Sequence, residues 1–109
     1  MRLSRLTQSR PTNAETEIAG EKVYYCYDRS KINGDFWALG RWRAQLAHAL
    51  LSWDIADEES GAVLAPAEGA EDRRSAWLDV FAPIPDDLLV ELYYAMLADF
   101  NGEKKVKIN

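Results

Sequence analysis

The chain holds a single histidine and a single cysteine, and their settings decide whether it can do covalent chemistry. His48 precedes Ser52 by one helical turn, a spacing that could bring a base beside a hydroxyl. A working triad also needs an acid to orient the imidazole and donors for the oxyanion. No nucleophile-elbow or oxyanion-loop sequence surrounds the pair, so neither residue is expected to be catalytic. Cys26 lies in an aromatic run with no local cation to activate a thiolate, and reads as a small buried hydrophobe. One Cys and one His cannot build a typical structural zinc site. The acidic run beginning at Asp54 offers oxygen ligands. With Asp54 as the first position of an EF-hand loop, Ala56 falls where an oxygen is required and Glu59 where glycine is required. The six glycines are scattered and form no phosphate-binding loop. No catalytic residue, metal or cofactor is expected.

Charge points elsewhere. The net charge is −5, and between Asp54 and Asp99 the only cations are Arg73 and Arg74. Such a chain lacks the phosphate-neutralising surface that nucleic acid demands. Arg41-Trp42-Arg43 is the one basic-aromatic triplet, and reads as a helix turn with its cations outward. An acidic surface around apolar helices suits a basic or amphipathic protein partner. Solubility alone would explain it equally well.

These residues need elements to place them. A length of 109 residues predicts one domain, and a lone cysteine forbids an internal disulfide. Residues 1–17 read as a flexible arm, with turn chemistry at Ser9–Asn13 and a short strand from Thr16 at its end. Ala19–Lys22 is a turn. Val23–Tyr27 is the best strand, with Val23, Tyr25 and Tyr27 on one face and Tyr24 and Cys26 on the other. A hairpin with residues 15–18 follows, to be packed on helices.

Beyond the cap-forming loop at 28–34, a long helix is predicted to run to Trp53. Its stripe is Phe36, Leu39, Leu46, Leu50 and Trp53, with Arg43 reaching for solvent or a carboxylate. Trp53-Asp54 is then a hinge into the acidic loop Asp57–Gly61 and an extended segment at 62–66. A shorter helix is expected over 68–81 and is ended by Pro83 and Pro85. Pro85 opens the last helix as its first residue, with Asp86 and Asp87 at the positive end of the dipole. Its apolar face carries Leu89, Leu92, Tyr93, Met96 and Phe100, and Asn101-Gly102 ends it. The expected domain is 18–101, followed by a basic tail at 102–109. The fold class is α+β and mostly α-helical: a small N-terminal strand or hairpin packed on two long helices and one shorter helix. No secretory leader and no apolar run of the ~20 residues needed to cross a bilayer is visible.

In order, these features resemble small tail assembly chaperones of long-tailed bacteriophages. The resemblance rests on Val23-Tyr24-Tyr25-Cys26-Tyr27-Asp28, then Leu50-Leu51-Ser52-Trp53-Asp54-Ile55, then the acidic turn Asp57–Gly61 with Ala62–Pro66. Ile84-Pro85-Asp86-Asp87-Leu88-Leu89 and the helix to Phe100 complete it, over roughly residues 21–100. The span between Pro66 and Pro85 is longer than the family's usual connection. The resemblance implies a non-enzymatic protein, in the host cytoplasm during assembly and absent from the mature virion. It implies the tape-measure protein and tail-tube subunits as partners, with no nucleic acid and no membrane. Candidate partner-binding residues are Asp57, Glu58, Glu59, Leu89, Tyr93, Met96 and Phe100; Trp53, Asp54 and Pro85 are expected to be structural. The alternative reading is a small acidic regulator that binds and blocks a host protein or mimics DNA.

Overall fold

Alternating residues between two turns build the hairpin that starts the domain. The computed structural model describes residues 10–32 and 41–106. Strands β1 (Pro11–Ile18) and β2 (Glu21–Asp28) pair antiparallel, Ile18 opposite Glu21 and Pro11 opposite Asp28. The connection is Ala19-Gly20, with φ of 53° and 81°. Two positive φ values define the tight turn whose twist matches a right-handed hairpin. Glycine adopts this region freely, but alanine is strained there. Ala19→Asn is therefore expected to stabilise the protein by about 0.5–1 kcal/mol, read as a higher urea midpoint. Ala19→Val should lower that midpoint.

Strand β1 replaces residues 11–17 of the expected flexible arm. Residues 1–9 of that arm lie outside the described residues. On β2, Val23, Tyr25 and Tyr27 face inward and are buried, while Tyr24 is exposed and Cys26 half-buried on the other face, as the alternation predicts. After β2 comes a single 3-10 turn, Arg29–Lys31, capped by the Asp28 side chain.

Helix α1 (Trp42–Ala49) leads straight into β3 (Leu50–Trp53), which pairs antiparallel with the free edge of β2. The sheet order is β1-β2-β3. The expected helix through Trp53 is thus corrected: helical geometry stops at Leu50, whose φ and ψ are −70° and 128°. The cause is non-local. A buried central strand must have its main-chain groups bonded on both edges, and Leu50–Trp53 supplies the second edge. Phe36 and Leu39 of the predicted stripe lie outside the described residues.

Beyond β3 the chain doubles back on itself. Leu64 N–H donates to Ile55 O at 2.9 Å and Asp57 N–H to Ala62 O at 2.8 Å, closing the acidic loop as a narrow ladder. Helix α2 (Arg73–Phe81) starts later than expected, where Asp72 accepts from the N–H groups of Arg74 and Ser75. Helix α3 (Asp86–Val106) is the long one. The Pro85 carbonyl accepts from the N–H groups of Leu88 and Leu89, so Pro85 stands just before the helix rather than as its first residue. Asn101-Gly102 does not end α3. Gly102 is not among the positive-φ glycines, and without a left-handed residue no terminating bond forms.

Among the described residues the architecture is α+β: one face of a three-stranded antiparallel sheet lies on three helices. Its centre is aromatic. Trp53 meets Trp77 edge-on at 5.1 Å between ring centroids, and Phe81 lies 5.5 Å from Trp53. Arg43 behaves as its place on the stripe suggested. It pairs with Asp86 and donates to the Phe81 carbonyl at 3.0 Å, joining the end of α2 to the start of α3.

Candidate partner-binding groove

The sheet consumes much of the surface that an isolated amphipathic helix would offer. Leu89, Tyr93 and Met96 are 1%, 3% and 0% exposed, so their side chains are packed in the core. Tyr93 further donates its hydroxyl to Gln45 Oε1 at 2.8 Å, and burial pushes its phenol above the usual range. Phe100 is half-buried beneath the Arg29 guanidinium, 4.6 Å from its ring centroid. Asp57, Glu58 and Glu59 are exposed on the loop after β3. Trp53 ends β3 rather than a helix, and Asp54 follows it. The Asp54 carboxylate accepts from Tyr24 N–H at 3.0 Å, and its own N–H donates to Tyr24 O at 3.0 Å. It therefore extends the β2–β3 ladder by one side chain.

A groove opens at the turn end of the hairpin. One part is an apolar pocket of about 130 Å³ between Ile18, Val23 and Trp53 of the sheet, Ile55 of the loop, and Ile84, Leu88, Leu89 and Leu92 around the start of α3. The other is a broader shelf of about 750 Å³ that includes Glu21, Lys22, Val23, Asp54, Ile55, Asp57 and Glu58. Glu21, Val23 and Ile55 line both, so the parts are continuous. Four carboxylates face one cation, and that cation, Lys22, lies 3.6 Å from Glu15. Hydrogen bonds from Ser60 hold the Asp57 carboxyl below the usual aspartate range, its N–H reaching Asp57 Oδ2 at 3.1 Å.

Of the residues expected from sequence, Asp57, Glu58 and Leu89 meet in this groove, and Glu59, Tyr93, Met96 and Phe100 do not line it. Glu21, Ile18 and Ile55 were not foreseen. Ile18 and Glu21 flank the hairpin turn, and Ile55, far along the chain, joins them because β3 pairs with β2 just before it.

A second concavity, about 640 Å³ between β1 and α3, includes Arg29 and Asp99 in its lining. Their charges are spent internally. Tyr27 donates its hydroxyl to Asp99 Oδ2 at 2.6 Å, and Arg29 donates to the Tyr27 oxygen at 2.8 Å and to Phe100 O at 2.9 Å. Burial first, and then the Asp99 hydrogen bond, push the Tyr27 phenol well up, so it stays protonated and clasps α3 to β2. No spacing in the sequence announces a pair 72 residues apart.

The His48–Ser52 spacing has no helical meaning, because His48 is on α1 and Ser52 on β3. Partial burial, then Lys31 and Arg74, pull the His48 imidazole below its ordinary value. Among the described residues no three His, Cys, Asp or Glu side chains gather to hold a metal, and no helix is long and apolar enough to cross a membrane. No protein-family model, curated protein or solved structure matches the chain.

Proposed function

We propose that this chain is a tail assembly chaperone of a long-tailed bacteriophage, which binds the tape-measure protein and assists recruitment of tail-tube subunits. It would act in the host cytoplasm and be absent from the mature virion. The motif order from Val23 to Phe100 motivates the reading. The observation that supports it is the groove, where carboxylates of Glu21, Asp54, Asp57 and Glu58 adjoin an apolar pocket. A surface of this composition suits a basic, amphipathic protein segment that would otherwise aggregate. The acidic-regulator alternative by DNA mimicry would call for carboxylates in a phosphate-like row. Those of the groove come from a strand end and a loop around an apolar pocket, which favours a protein side chain as ligand.

Co-expression with the tape-measure protein encoded beside it is the test. The two should co-purify, and the soluble fraction of the tape-measure protein should rise. If neither association nor a gain in solubility is seen, the chaperone reading is wrong.

A further inference from the structure

We infer that the groove takes one basic amphipathic α-helix of a partner, seated by a single branched aliphatic side chain in the pocket and by lysine or arginine over the carboxylates. The inference rests on the groove being the partner surface, and not on the partner being a tape-measure protein.

Three observations carry it. The pocket, about 130 Å³, is small and mostly apolar, on the scale of an aliphatic side chain. Its back wall includes buried Val23, Trp53 and Leu89, and half-buried Ile55, Ile84 and Leu88 line it with them, so an apolar anchor would gain burial from a preformed surface. Secondly, charge complementarity fixes the sign of the partner. Among the described residues, Glu21, Asp54, Asp57 and Glu58 line the shelf with Lys22 as its one cation, which favours a cationic segment over an anionic one. Thirdly, part of the main chain at this site is already paired. Strand β3 pairs with β2 at residues 25–27, Asp54 N–H donates to Tyr24 O, Leu64 N–H donates to Ile55 O and Asp57 N–H donates to Ala62 O. The pocket itself is lined by apolar side chains, which a partner meets with side chains of its own, as when an amphipathic helix lies in a groove with anchors one turn apart. A helix places an aliphatic anchor and a cation three or four residues away on the same side, matching a pocket whose rim residues also line the acidic shelf.

The test uses the full chain and a fluorescent Leu/Lys peptide of about 18 residues, five helical turns, patterned with the helical period. A scrambled peptide of equal composition is the control, and binding is read by anisotropy. The patterned peptide should bind at least about tenfold more tightly than the scramble. The double charge reversal Glu21→Lys with Glu58→Lys should weaken it at least about tenfold, with the melting curve unchanged because both residues are exposed. Leu88→Glu should also weaken it at temperatures where circular dichroism shows the variant folded. Hydrogen exchange should slow at residues 21–23 and 54–58. Equal binding of the two peptides would reduce the effect to net charge and overturn the inference. So would undiminished binding by the charge-reversed variant, or protection confined to the β1–α3 cleft. Peptide binding without tape-measure association would instead overturn the chaperone reading alone.

Discussion

Trp53→Ala is expected to destabilise the protein by about 3–5 kcal/mol, a large share of the roughly 5–15 kcal/mol that holds a domain together. Trp53 is 5% exposed and connects three parts of the fold. It ends β3, its ring meets Trp77 of α2 edge-on and packs with Phe81, and its indole N–H donates to the Leu64 carbonyl beyond the acidic loop. Truncation would open a cavity between sheet and α2 and strip the Leu64 carbonyl of this donor. Trp53→Phe separates the two losses. It keeps most of the ring and loses the donor, so about 1–2 kcal/mol is expected. Urea unfolding followed by far-UV circular dichroism gives both values. A Trp53→Ala protein with a native urea midpoint would show that the aromatic centre is not what closes the core. Because Trp53 also walls the pocket, a folded Trp53→Phe protein should bind the amphipathic peptide more weakly.

How much of this was legible depends on where the deciding force lies. Val23, Tyr25 and Tyr27 could be read as one buried face because β-branched and aromatic residues alternate strictly there. Helix α3 was legible for the same local reason, with Asp86 and Asp87 marking its start. β1 was legible only at its end, residues 15–18, because Thr12, Asn13, Glu15 and Glu17 carry no apolar rhythm. It is a strand because β2 needs a partner, and an exposed edge tolerates polar and charged residues. Leu50 and Trp53 misled in the opposite way. A separation of three fits a helical stripe, and both residues are indeed buried. The free edge of β2 decides between helix and strand, and it lies in another part of the chain. Leu89, Tyr93 and Met96 show the matching limit for function. Periodicity identifies an apolar face but not what covers it, and here the inner face of the sheet and the other helices do. Asp57 and Glu58 were chosen on charge and remain on the surface; Glu21 acquires a role only once the hairpin sets its register.

The second large effect is expected at Asp28, a carboxylate only 3% exposed at the open end of the hairpin. Its Oδ1 accepts from Arg10 N–H at 2.8 Å, Ser30 N–H at 3.0 Å and Ser30 Oγ at 2.6 Å. A charge this far from water is tolerable only when several donors replace its hydration. The carboxylate thereby joins the residue before β1 to the turn after β2, beside the bond from Arg29 N–H to Arg10 O at 3.0 Å. Asp28→Ala would orphan the Arg10 and Ser30 amides together, at a cost of about 2–4 kcal/mol. Asp28→Asn keeps an acceptor but loses the charge, and should cost about 1 kcal/mol. Hydrogen exchange localises the effect: the Arg10 and Ser30 amides should exchange faster in both variants, while the Ala19-Gly20 end of the hairpin keeps its native rate. Equal midpoints for wild type, Asn and Ala would mean that the buried carboxylate does not hold this end of the sheet. The consequence reaches α3, because Arg29, the next residue, anchors Tyr27 and the Phe100 carbonyl. An Asp28→Ala protein should therefore also lose protection near Phe100, while the groove at the opposite end of the hairpin, held by Trp53 and Asp54, still binds the amphipathic peptide.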